Sequence, residues 1–223
     1  MSDTVLLNNF KGTDIYETTG EPAGIIFLAG MAIDADGAPN AYGPSGSDPL
    51  DYLANAGSEG DWWGIACDSD GNPYIQQVYH PYPGYYVSTT SLQNAQFPDT
   101  NPDHNLNSVE VPFIVLPTSD GLGCQTGDLG LIYNINTGDN TYVIVGDRGP
   151  EVGEASICAA RCLSVDCDPK TGGCDSGIVY LIWTHSGKGW QPVDTWFGQA
   201  DALMQKWGGI SRLKRIIDQL WLS

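Results

Sequence analysis

The stretch Val143–Ile157, VIVGDRGPEVGEASI, decides how this chain is read. A short β-branched run ends at Gly146, and Gly149, Pro150 and Gly153 then punctuate the sequence before EASI opens an apolar segment. The pattern predicts a strand that ends in a tight turn and feeds a short helix over Ser156–Leu163. Two acids, Asp147 and Glu154, stand on either side of the turn. Glycines permit unusual backbone angles and proline fixes one, so such a turn can hold two carboxyl groups at a set separation. Paired carboxyls are what glycoside hydrolysis requires: a wide pair admits a water and inverts the sugar centre, whereas a close pair forms a covalent intermediate. The plainer reading makes Asp147 and Arg148 a surface ion pair and Glu154 a first-turn helix acid. A position near a helix amino terminus would keep Glu154 ionised. That favours Glu154 as the base and leaves Asp147 as the proton donor.

Working outward, Gly127–Asn134 and Thr141–Val145 flank NTGDN and predict a hairpin. Gly177–Thr184 is a continuous apolar run of a buried strand, and Gly24–Ile33 is a further strand candidate. Asp61–Cys67 and Tyr74–Val78 flank the turn sequence DSDGNP, Gly84–Leu92 reads as extended, and Pro112 places Val109–Leu116 at a sheet edge or a strand start. From Thr195 to Trp221 apolar residues recur at helical spacing, broken at Gly208–Gly209, which predicts carboxy-terminal helices packed on a core. Residues 1–22 read as a poorly patterned lead-in and 23–223 as a single catalytic domain, mainly β.

The 223 residues include 28 glycines and 14 prolines at 41% hydrophobic content, a composition suited to a turn-rich β-protein. The net charge of −18 repels nucleic-acid phosphates and anionic membranes and draws in a polycation. No stretch approaches the ~18 consecutive apolar residues of a membrane span, and the first residues show no basic segment followed by an apolar run of the kind that directs export. The six cysteines, Cys67, Cys124, Cys158, Cys162, Cys167 and Cys174, match no paired zinc spacing. Their even number in a loop-rich chain predicts at least one disulfide and an extracellular location, with Cys167 and Cys174 placed to staple DPKTGG.

A second constellation lies in Ile33–Pro44, IDADGAPNAYGP. Asp34 and Asp36 alternate along an extended segment and so share a face; with Asn40 and Tyr42 they suit a sugar or an amino group. Asp68 and Asp70 repeat the D-x-D-G pattern, but neither copy continues into a calcium loop. Of the adjacent Trp62 and Trp63, one is expected to face the core and the other a ligand. There is no nucleophile elbow, phosphate loop or dinucleotide fingerprint, and no cofactor is expected.

The segments GMAIDADGAPNAYGP, LDYLANAG, DWWGI, PGYYVSTTSL, VPFIVLP, GDLGLIYNINTG, VGDRGPEVGEASI and the closing WGG resemble, in order from about Phe27 to Trp207, glycoside hydrolase family 75, the chitosanases. The resemblance implies endo-cleavage of β-1,4-linked glucosamine with inversion by a secreted monomer. The family's G-D and G-E-[AG]-S acids fall on Asp147 and Glu154. Asp34, Asp36, Asn40, Tyr42, Trp63 and Arg148 are the expected substrate-binding residues, and chitosan is the expected partner. A more local resemblance, GDLGLIYNINTGDNTYVIVGDRGP, is to rare lipoprotein A-type double-psi β-barrels. It implies a six-stranded double-psi-like barrel with Asp147 at its cleft, and a rival activity, that of a peptidoglycan lytic transglycosylase. A non-catalytic glycan- or polycation-binding barrel is the third expectation.

Overall fold

The computed structural model describes residues 3–118 and 122–222. In chain order the elements are β1 (Thr4–Phe10), β2 (Thr13–Thr18), β3 (Gly24–Asp34), β4 (Gly57–Ser58), β5 (Asp61–Trp62), β6 (Phe113–Pro117), β7 (Leu129–Asn134), β8 (Asn140–Gly149), β9 (Glu154–Ser156), α1 (Ile157–Cys162), β10 (Cys174–Trp183), α2 (Val193–Trp207) and α3 (Gly209–Trp221). Short 3-10 turns occupy Leu53–Ala56 and Pro102–His104.

Six strands close into a mixed barrel in the order β3–β10–β7–β8–β6–β9, with β9 returning to β3. The β6–β8 and β3–β9 pairs are parallel and the other four antiparallel. The expected six-stranded barrel is therefore present, with β1 and β2 added outside it.

Alternation along the strands sorts the side chains into two cores. Ile25, Phe27 and Met31 of β3, Ile178, Tyr180 and Ile182 of β10, and Val143 and Val145 of β8 belong to one. Within it Phe27 and Tyr180 stack at 4.9 Å between ring centroids. Their neighbours Ile26, Val179, Leu181, Trp183 and Ile144 belong to the other, together with Trp196 and Met204 of α2 and Leu213 and Ile216 of α3. A six-stranded barrel has no room for helices inside it, so the second set is the outer face, roofed by α2 and α3, and the first fills the interior. Burying a side chain of this size stabilises the fold by roughly 1.5–3 kcal/mol. Gly208, at φ 119°, ends α2 in the left-handed region and lets α3 start at once in a new direction.

Three expectations need correction. The amino-terminal lead-in is a hairpin: β1 pairs with β2, and β2 pairs with β3. Its outer strand is mostly exposed, so no period-2 alternation marked it. The stretches around DSDGNP and Gly84–Leu92 form isolated bridges, Cys67 with Pro73, Ile65 with Ser88 and Ile75 with Tyr86, instead of long strands. The expected disulfide is absent: no two of the six cysteines are joined. Cys158 and Cys162 lie four residues apart on α1, and the Cys158 thiol donates to the Glu110 carbonyl. The loop before β10 closes through backbone bonds from Gly172 to Asp168 and from Gly173 to Asp166, each 2.8 Å, and needs no staple. Among the described residues no helix is long and apolar enough to cross a membrane.

Candidate active site

The placement of Asp147 rests on one extra residue. Val143 and Val145 point into the barrel, so strict alternation would send Asp147 inward as well. Ile114 of β6 pairs with Val145, but the next residue, Val115, pairs with Asp147, so Gly146 is an insertion in β8. Such a bulge re-aims the side chain that follows it. Gly146 is suited to the position because an added Cβ would lie 2.7 Å from the Phe113 Cβ. Beyond the bulge Asp147 shares the outer face with Val115.

On its other side Val115 pairs with Glu154 of β9. Asp147, Val115 and Glu154 thus form a row across three neighbouring strands, on one face. Two inter-strand spacings put the backbones of the two acids ~10 Å apart. A Cβ at Gly149 would lie 3.5 Å from Glu154 Oε2, so the missing side chain leaves room for the Glu154 carboxyl to lean across Val115 towards β8. The row continues to Ala32 of β3, the other partner of Glu154, and Asp34 follows two residues on, on the same face. The turn between the acids passes close against β3 at Gly153 (φ +87°), where a Cβ would meet the Gly30 carbonyl at 3.1 Å.

This row lies in a cleft of about 470 Å³ lined by five carboxyl groups: Asp34, Asp36, Asp51, Asp147 and Glu154. Their environments differ. Asp147 Oδ1 accepts three hydrogen bonds, from the Ser91 hydroxyl (2.6 Å), the Ser91 N–H (3.0 Å) and the Arg148 N–H (2.7 Å). Burial raises its pKa; these bonds and the Arg148 charge oppose the rise. Among the described residues Glu154 has no such donors. Burial, then the negative charges of Asp147 and Asp51, push it up to about 7. Asp34 is raised by burial and by the charges of Asp36, Asp147 and Glu154. Asp36 is raised by burial and by Asp147, against hydrogen bonds from Tyr42 (2.6 Å) and Ser88 (3.3 Å). Asp51 is raised by burial while accepting from Asn55 and the Tyr52 N–H.

The two acids sit in unequal surroundings, and the helix amino terminus is not what sets them apart. Glu154 opens β9, and Ser156 is the cap of α1, its hydroxyl accepting from the Ala159 N–H. Glu154 therefore lies two residues outside the helix cap, beyond the turn over which the dipole acts. Asp147 has the donors that favour a carboxylate, and Glu154 has the surroundings that favour a carboxylic acid.

The other expected residues divide. Asp34 and Asp36 share the cleft as expected. Trp63 stands exposed on its rim with its indole N–H on the Asn55 carbonyl (2.9 Å), while Trp62 packs against the core and stacks on Tyr86. Tyr42 lines the cleft but is nearly inaccessible, its hydroxyl given to Asp36, so it supports that acid. Asn40 lies outside the cleft lining; turns at Ala38 and Ala41 carry it away from Asp36. Arg148 lines the cleft, but its guanidinium donates to Thr126 Oγ1 and to the carbonyls of Pro117 and Cys124, which ties β8 to the neighbouring loops. Asp51, Asn55, Ser91 and Lys170 went unassigned. The first two lie four apart in LDYLANAG and Ser91 in PGYYVSTTSL, segments singled out by resemblance but given no role. Among the described residues no group of three or more His, Cys, Asp or Glu is arranged to hold a metal ion.

No known family model matches this chain, and no curated protein matches it.

Proposed function

We propose that this chain is an endo-acting glycoside hydrolase that cleaves β-1,4 glucosamine linkages of chitosan with inversion. The observation that carries the reading is the row Asp147–Val115–Glu154, which sets two carboxyls on one face of a cleft, two strand spacings apart. Inverting pairs stand ~6.5–9.5 Å apart to admit a water; a retaining pair needs ~5–5.5 Å. Backbones ~10 Å apart, with one side chain leaning inward, fall on the inverting side. Glu154, held towards its protonated form, gives its proton to the departing glycosidic oxygen. Asp147, in its carboxylate form, which three hydrogen bonds favour, takes a proton from water, whose oxygen bonds to the anomeric carbon from the opposite face as the C–O bond breaks. Asp34 and Asp36 receive substrate ammonium groups, Trp63 offers a ring face to a sugar, and the net charge of −18 concentrates a cationic polymer. The endo mode and the polymer's identity are what the resemblance to family 75 implies.

The test is hydrolysis of chitosan by the parent protein and by Asp147→Asn and Glu154→Gln. The parent should release new reducing ends of inverted configuration by proton NMR, and each variant should fall ~100-fold or more with an unchanged circular-dichroism spectrum. Retained configuration, or near-parental rates in either variant, would overturn the proposal. An anhydro end from peptidoglycan would favour the transglycosylase reading, and chitosan binding without a fall in viscosity would favour a binding domain.

A further inference from the structure

Two residues of one irregular segment reach two carboxyls of the cleft. Ser88 donates to Asp36 Oδ1 (3.3 Å), and Ser91 gives both its hydroxyl (2.6 Å) and its N–H (3.0 Å) to Asp147 Oδ1. The segment is itself held. The Leu92 N–H donates to the carbonyl of the bulge residue Gly146 (2.9 Å), and Asn105 Oδ1 accepts from the Thr89 hydroxyl (3.2 Å) and the Thr90 N–H (3.1 Å). It therefore comes to β8 as a fixed block at the point where the strand is bulged.

We infer that Ser91 is a positioning residue for Asp147: its two donors hold Oδ1 and leave Oδ2 directed to the cleft, where a water can be taken up. The inference rests on the hydrolase reading for its catalytic meaning, but the hold itself is a property of the folded protein. The three donors that the described residues give Asp147 converge on one oxygen, so among them the second oxygen keeps its acceptor capacity. A 2.6 Å bond from a hydroxyl to a carboxylate is of the short, charge-assisted kind. Around Asp147 stand Glu154 from β9, Asp34 at the end of β3, Asp36 in the turn beyond it and Arg148 on its own strand. Three of these four are acids whose own pKa the Asp147 charge raises, so its ionisation stands in opposition to theirs. The Arg148 guanidinium meets that opposition only in part, because it is shared among Thr126, Pro117 and Cys124. Ser91 is the donor that comes from a different part of the chain, so it is the one a point change can remove without touching β8.

The experiment follows the carboxyl carbon of Asp147 by NMR titration in a Glu154→Gln background, which removes the neighbour that would otherwise titrate with it. Ser91→Ala should weaken the preference for the ionised form about tenfold, moving the Asp147 midpoint up by about one pH unit. Ser91→Thr should restore it, and Ser88→Ala, which acts on Asp36, should leave it in place. Ser91→Cys, close in size and a poor donor, gives the same reading if the alanine variant folds badly. In the otherwise unaltered chain Ser91→Ala should lower kcat on chitosan about tenfold with KM little changed, and should move the acid limb of the pH profile upward. A midpoint unchanged by both Ser91→Ala and Ser91→Cys overturns the inference, whether or not the protein cleaves chitosan. A displaced midpoint in a chain that leaves chitosan intact upholds the hold on Asp147 and refutes the hydrolase reading.

Discussion

Replacing Glu154 by glutamine should make the protein more stable at alkaline pH and should scarcely change it in acid. The Glu154 carboxyl is buried beside Asp147 and Asp51, and its pKa rises from an ordinary 4.5 to about 7. A carboxyl raised on folding binds its proton more tightly in the native than in the unfolded chain. The stability it gives is fully present below pH 4.5 and is lost progressively as pH rises through about 7. At about 1.4 kcal/mol for each tenfold change in proton affinity, the full span is ~3 kcal/mol. Solvent at the cleft mouth and coupling to Asp147 reduce this to ~2 kcal/mol. Glutamine keeps the shape of the protonated acid and cannot ionise, so it avoids the loss. For a chain of this length ~2 kcal/mol corresponds to ~4–8 °C in Tm. The assay is thermal unfolding of parent and variant from pH 4 to pH 8.5. Only the difference between the two proteins is read, which cancels the general effect of the acidic surface. The gap should be near zero at pH 4, open between pH 5 and pH 7.5, and favour the variant. A variant that melts with or below the parent at pH 8.5, or a gap that does not change with pH, would refute the view that Glu154 is held towards its protonated form, and with it the assignment of Glu154 as acid.

Two further outcomes follow from the same geometry. Gly146→Ala should destabilise by ~1–3 kcal/mol, because its methyl would lie 2.7 Å from Phe113 Cβ and 2.8 Å from Leu106 Cδ1, and should depress chitosan cleavage beyond what the lost stability explains; Gly198→Ala, whose methyl meets nothing within 4 Å in α2, is the control and should be neutral or stabilising in the same melts. Trp63→Ala should leave Tm within ~1 °C of the parent, since the ring is 63% exposed, while weakening glucosamine-oligomer binding up to ~10-fold by calorimetry.

The parts of this fold that could be read from residue order are those whose partners are local or whose burial is continuous. The NTGDN turn ties β7 to β8, and the unbroken apolar runs of β3 and β10 mark strands buried on both faces. The parallel pairs β6–β8 and β3–β9 left no local trace, because parallel neighbours need no shared turn. Asp34 and Asp36 were legible as a pair because they lie two residues apart, where β3 ends and the Asp36 N–H turns back onto Asp34 Oδ1. Asn40 was not, because the turns after Asp36 carry it elsewhere. Ser91 reaches Asp147, and Asp51 the cleft, from loops 56 and 96 positions before Asp147, as 147 − 91 and 147 − 51 give, with no periodicity to report them. The cysteines misled because an even count says nothing of bonding geometry; in the folded chain no two of them are joined.

The two acids of the opening motif differ less in burial than in what surrounds them, and that difference originates in the bulge. Without the bulge, with Gly146 paired in regular register, Asp147 would face the interior among Val143 and Val145, where ionisation would be prohibitive. With it, Asp147 turns to the outer face, opposite Val115 and beneath Ser91, and receives three donors on one oxygen. Glu154 reaches the same face from β9 in regular register and finds acids in place of donors. One inserted glycine thus sets both the separation of the carboxyls and their inequality. A pair brought together by the turn alone would share the first property but not the second. The separation sets the stereochemistry of an inverting pair, and the inequality tells its acid from its base.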